Sequence, residues 1–97
     1  MFSMEQISFL VHNSPDHVGV ATRDISEGEV VKGKYLDNGG MVEVKALELI
    51  PLGHKISLSS IRANEPVVEY GQTIGTSTSE IERGSHVHTH NIRSRRW

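Results

Sequence analysis

Apolar residues along the chain come in short runs of four to six, broken by turn chemistry, with no sustained 3.6-residue period. Ile7 to His12 (Ile-Ser-Phe-Leu-Val-His) is β-branched and aromatic and predicts a first strand. Asn13-Ser-Pro-Asp16 is a turn, and Val18 to Thr22 a second strand whose central Gly19 marks a bulge or a close backbone approach. Glu29 to Leu36 and Met41 to Leu47 flank Asp37-Asn-Gly-Gly40, a hairpin signal, because Asn and Gly tolerate positive φ. Ile50 to Lys55 reads as a loop punctuated by Pro51 and Gly53. Ile56 to Leu58, Val67 to Tyr70 and Thr73 to Thr76 are further short strands. The expectation is an all-β fold with a single domain over residues 1–97.

A short pattern recurs: Ile25-x-x-Gly28-Glu29-x-Val31, Ile61-x-x-Asn64-Glu65-x-Val67 and Ile81-x-x-Gly84-Ser85-x-Val87. Its physical content is a repeated corner. The isoleucine anchors the turn in the core, Gly or Asn takes a left-handed backbone position, and the valine opens the next strand facing inward. The third corner launches Gly84-Ser-His-Val-His-Thr-His-Asn91, which holds three of the six histidines. On a strand, His86, His88 and His90 share one face by the two-residue period. Neutral imidazole is a common transition-metal ligand, and the arginines at 93, 95 and 96 suit anionic oxygens. A solvent-facing strand with no ligand is the alternative.

Other polar groups extend this. His12 stands at a strand end near Asp16 and His17; His17 reads as structural and His12 as functional. Gly53-His54-Lys55 offers an acid–base group and a cation on one loop, or an ordinary exposed loop. Tyr70, before Gly71, reads as a half-buried core residue, with a phenol donating at a turn as the alternative. Trp97 is expected to pack on this domain or on a partner.

Composition narrows the classes. With 97 residues and 36% apolar content the core is small, which suits a partner that covers further surface. A net charge of −2 argues against a nucleic-acid binder. Having no cysteine, the chain builds no disulfide and no thiolate metal site. No basic-then-apolar leader opens it, and no apolar run approaches the roughly 20 residues that span a bilayer. A cytoplasmic protein without membrane contact is expected. A Ser–His–Asp order and P-loop, dinucleotide and deaminase signatures are absent from the sequence.

Taken together, His12, Asp16 and Val18-Gly-Val-Ala21, then Ile50-Pro-Leu-Gly-His-Lys-Ile-Ser-Leu58, Tyr70-Gly71, Ile74-Gly75 and Gly84-Ser-His-Val-His-Thr-His-Asn91 resemble the small domain of altronate dehydratase-type lyases. The resemblance covers nearly the whole chain. It implies a SAF-type β-clip fold of short strands and long loops, and elimination from a hydroxy acid after removal of the proton α to its carboxylate. The family includes altronate and galactarate dehydratases, which lose water, and the sulfolactate sulfo-lyase, which loses sulfite.

By position, the resemblance makes His54, Lys55 and His88 candidate catalytic groups, and His12, Asp16, Tyr70, Asn91 and Arg93 candidate substrate contacts. His86 and His88 would ligate a divalent metal, Fe2+ in the altronate enzymes, shared with a large catalytic subunit. The ending after Asn91 is similar to that of stand-alone small subunits, and a homo-oligomer is compatible with it. The sequence departs from the family at Glu69, where relatives often have a basic residue. A sugar-acid hydro-lyase subunit is the leading expectation. The sulfo-lyase subunit is the alternative, and a non-catalytic carbohydrate- or partner-binding module is the alternative of another class.

Overall fold

The structure, a computed structural model, describes residues 7–94; the arginines at 95 and 96 and the expected anchor Trp97 lie outside the described residues. Nine strands follow in order: β1 (Ile7–Val11), β2 (Val18–Ala21), β3 (Val30–Tyr35), β4 (Met41–Lys45), β5 (Lys55–Ser57), β6 (Pro66–Glu69), β7 (Gln72–Ser77), β8 (His86–Val87) and β9 (Ile92–Ser94). They form a six-stranded sheet, β4-β3-β1-β2-β5-β8, and a three-stranded one, β6-β7-β9. No helix occurs among the described residues, so the all-β expectation holds, and none is long and apolar enough to cross a membrane.

The sheets are organised by the corners. Ile25 and Ile50 exchange backbone hydrogen bonds of 2.8 Å in both directions, and Ile61 and Ile81 do the same at 2.7 Å. Around each pair the remaining bonds are reciprocal. Gly28 N donates to Ala46 O and Gly53 N to Ala21 O; Asn64 N donates to Ser77 O and Gly84 N to Ser57 O. Each acceptor lies four residues before the isoleucine of the opposite corner. The return bonds run from Ala46 N to Glu29 O, Ala21 N to His54 O, Ser77 N to Glu65 O and Ser57 N to Ser85 O. Each pair therefore has local two-fold symmetry.

This corrects the reading of Ile50 to Lys55 as a plain loop. Ile50-x-x-Gly53-His54-x-Ile56 is a fourth copy of the corner. The left-handed positions of all four are populated as the pattern requires, with φ of 85° at Gly28, 84° at Gly53, 65° at Asn64 and 91° at Gly84. The isoleucines, with Val31, Ile56, Val67 and Val87, are all 5% exposed or less. Each contributes about 1.5–3 kcal/mol by burial.

Two apolar clusters result. Phe9, Val11, Ile25, Val44, Ile50 and Ile56 fill the first; Val18, Ile61, Val67, Ile81 and Val87 fill the second. Phe9 fits because Gly33 and Gly19 leave room for its ring: a Cβ would stand 2.0 Å from Phe9 Cε2 at Gly33 and 2.7 Å from Cδ2 at Gly19. The close approach expected at Gly19 is thus observed.

Two glycines at the same corner position separate backbone strain from packing. At Gly28 a Cβ meets nothing within 4 Å, whereas at Gly84 it stands 2.1 Å from Lys45 O. Gly28→Ala is expected to cost about 1–2 kcal/mol through positive φ alone. Gly84→Ala is expected to cost about 1–3 kcal/mol more, because backbone must move. Urea midpoints of the two variants check the difference.

A candidate histidine site at the junction of the corners

The second corner ends in Gly53 and feeds His54 into β5; the fourth ends in Gly84 and feeds Ser85 into β8. The two strands pair antiparallel, Lys55 opposite Val87 and Ile56 opposite His86. One step further along the register places His54 opposite His88. The imidazoles meet accordingly. His54 Nδ1 lies 2.8 Å from His86 Nε2, a hydrogen bond in which one ring donates. The His54 and His88 rings stack with centroids 4.0 Å apart and planes at 19°. One nitrogen from each of His54, His86 and His88 falls within 4.8 Å of the others, and all three side chains are part-buried.

The expected strand of three histidines is corrected here. β8 ends at Val87, and the chain turns over the next residues. The cause is Asn91: its Oδ1 accepts from His88 N at 2.9 Å and its Nδ2 donates to His86 O at 2.8 Å, a local alternative to ladder bonds. His90 is left exposed, tilted against His86 at 5.0 Å, and His54 takes the place expected for it.

Burial and neighbouring groups disfavour a proton on His86 and His88. His86 lies below the ordinary imidazole range, first through burial, then through the neighbouring His90 and His54, against an opposing pull from Glu48. His88 is lowered by burial and then by His54, Lys55 and His90. Glu48 Oε2 also accepts from His86 N at 3.1 Å, tying the 47–49 segment to β8.

A second group adjoins the first. Lys55 Nζ stands 3.9 Å from Glu69 Oε1 on β6, a link between the two sheets. Glu69 is only 5% exposed, and burial raises its carboxyl above the usual range, partly offset by Lys55 and His12. Tyr70 is not the core residue expected. It is 58% exposed, held at φ 58°, and stacked on His12 with centroids 3.7 Å apart.

Asp16 explains that conformation. Its carboxylate accepts from Tyr70 N and Gly71 N, both at 2.9 Å, and from Asn13 N at 3.2 Å. Asp16 and Asn91, expected as substrate contacts, direct their side chains to the backbone in this structure. His17 is structural, as expected: its Nδ1 accepts from Val68 N. Arg93 is exposed on β9 opposite Thr76, outside the histidine group. Glu69 and Glu48 were missed as site residues; Glu69 was legible only as an acid next to Tyr70-Gly71. An open concavity between β3 and β4, lined by Lys32, Lys34, Met41 and Glu43, shares no residue with the histidines.

A family model described as the altronate/galactarate dehydratase SAF domain matches residues 7–95. The chain belongs to that family. It is 33% identical over 92 residues to the (2R)-sulfolactate sulfo-lyase subunit alpha of Chromohalobacter salexigens, covering 94% of this chain and 98% of that one. It is 39% identical over 87 residues to the altronate dehydratase of Bacillus subtilis, covering 90% of this chain and 16% of the relative. Galactarate dehydratase (L-threo-forming) of Escherichia coli matches at 43% over 42 residues, 43% of this chain and 8% of that enzyme. These SAF-domain relatives are lyases, and in the dehydratases the matching part is a small fraction of a longer chain.

The depressed imidazoles give a signed expectation. Below the ordinary value of 6.5 the unfolded chain binds protons that the folded histidines resist. Stability therefore falls as pH drops through 6.5 toward the folded values. Glu69, raised, acts oppositely in a lower window, losing stability as pH rises above 4.5. In metal-free buffer the urea midpoint is expected to drop between about pH 7.5 and 5.5, with the slope flattened in a His86→Gln/His88→Gln variant.

Proposed function

We propose that the chain is the small subunit, or the small domain, of a lyase that removes water from a sugar acid. In this reading it supplies one wall of an active site that a large catalytic partner completes. The observation that carries the proposal is the convergence of His54, His86 and His88 beside Lys55, two strands brought together by two different corner pairs. Neutral imidazoles within reach of a cation are what proton transfer next to a carboxylate needs.

The donor set fits a divalent metal, proposed to be Fe2+. The imidazole nitrogens of His54, His86 and His88 lie within 4.8 Å of one another, so His54 and His86 would hold the ion with His88 beside it, and the downward shifts of His86 and His88 favour the deprotonated form that ligation and base work require. Once bound, such an ion supplies Lewis-acid stabilisation for the negative charge that develops on the substrate carboxylate. His54 and His86 would give up the proton they share at 2.8 Å. His88, stacked on His54, is assigned to proton transfer: the C–H bond α to the carboxylate breaks to a base and the C–O bond at the β carbon breaks with a proton delivered to the leaving hydroxyl. The resulting enol rearranges to the 2-oxo acid, so atoms balance with water as the other product. Lys55 is assigned to the substrate's carboxylate, and the His12–Tyr70 stack to its hydroxylated chain. Asp16 and Asn91 hold these groups in place.

The near full-length match to the sulfo-lyase subunit alpha favours a second reading, in which sulfite leaves from a sulfonated hydroxy acid. Product analysis separates the two: a 2-oxo acid without sulfite supports the dehydratase, and sulfite release supports the alternative. In the complex with the large subunit, His88→Ala is expected to lower turnover about tenfold or more, and unchanged turnover removes His88 from the chemistry. Isothermal titration of the chain alone with Fe2+ or Mn2+ is expected to show weak binding, because the imidazoles alone leave the shell incomplete. A tight one-to-one site contradicts the shared-site proposal.

A further inference from the structure

Lys55 follows His54 on β5, opposite Val87 of β8, and its ammonium stands 3.9 Å from Glu69 Oε1 on the other sheet. Three carboxylates belong to the same wall: Glu69 in the ion pair with Lys55, Asp16 on the backbone amides of Tyr70 and Gly71, and Glu48 on His86 N. Glu69 does not reach this place by accident of a mobile side chain. It is the last residue of β6, its register partner is Gln72, and the next two amides are clamped by Asp16. Its side chain is 7% exposed, whereas that of Lys55 is 27% exposed. At 3.9 Å the pair is loose enough for the ammonium to meet a ligand while its charge stays balanced.

A wall built this way has no surplus positive charge. One carboxylate of a ligand finds Lys55 or a bound metal; a second anionic group meets Glu69. We propose that Glu69 is a specificity-determining residue, which by pairing with Lys55 selects hydroxy acids carrying one anionic group over those carrying two. The inference rests on the reading of this wall as a hydroxy-acid site, and it deepens that reading by naming the charge class of the substrate.

The test is a binding measurement on the full chain, independent of turnover. Amide shifts are followed while gluconate, with one carboxylate, or glucarate, with two at the same carbon count, is added at about pH 8, well above the ordinary carboxylate range. The wild-type chain is expected to favour gluconate. Glu69→Gln, which frees the Lys55 charge, is expected to move the affinity ratio toward glucarate by about fivefold.

Lys55→Gln/Glu69→Gln removes both charges at once, so its ratio is expected to stay near that of the wild type. This double variant also covers the case in which the single variant leaves an unpaired ammonium and does not fold. A ratio unchanged by Glu69→Gln, an equal weakening of both ligands, or binding of neither to the wild type overturns the inference. Failure of the lyase reading shows elsewhere, as absence of turnover in the reconstituted complex, and leaves the binding ratio to be judged by itself.

Discussion

The reciprocal hydrogen bonds between paired corners are the constraint on which the rest of this structure depends. Ile25 with Ile50, and Ile61 with Ile81, each close a small two-fold unit in which every left-handed residue donates to the strand end entering the opposite corner. Short strands of two to six residues bury little surface by themselves. The corners compensate by placing an isoleucine and a following valine or isoleucine in the core at each turn. They also satisfy backbone groups that a loop of this kind would otherwise leave buried and unpaired.

The site follows from the way these units meet. The second corner belongs to the first pair and the fourth to the second pair, yet the strands that they launch are neighbours in one sheet. Gly84 N and Ser85 O both bond Ser57, which ties the fourth corner directly to β5. His54 and His86 are thus held by two separate folding units across a common ladder. The polar groups around them are locked by main chain: Asn91 turns the chain after His88, Asp16 holds Tyr70 and Gly71, and Glu48 holds His86. Preorganised side chains of this kind spend little entropy when a ligand arrives.

Much of this was legible in the sequence, and the reasons for the rest are physical. The β-branched and aromatic run from Ile7 to His12 announced β1, and the hairpin chemistry of Asp37-Asn-Gly-Gly40 announced β3 and β4. Three corners were visible because Gly or Asn and a following Val recur at fixed spacing. The corner that starts at Ile50 was hidden by Pro51, by His54 where the others have Glu or Ser, and by Ile56 in place of Val. Missing it meant that His54 was read on a loop, with no reason to place it beside His86. The period-two reading of His86, His88 and His90 failed because Asn91 offers the backbone a turn that two residues of strand cannot outweigh. Tyr70 was misjudged since nothing local signals that a buried carboxylate 54 positions away holds its amide.

The chain presents three part-buried imidazoles, an ammonium and an exposed aromatic stack, in a domain that matches 16% of the altronate dehydratase to which it is similar. The central claim is that this wall acts only when a larger partner closes it. Turnover of a sugar acid by the purified large subunit, measured with and without this chain, tests that claim most directly. The account predicts activity on mixing and none from the large subunit alone. Full activity from the large subunit alone would contradict it and leave this chain a binding module.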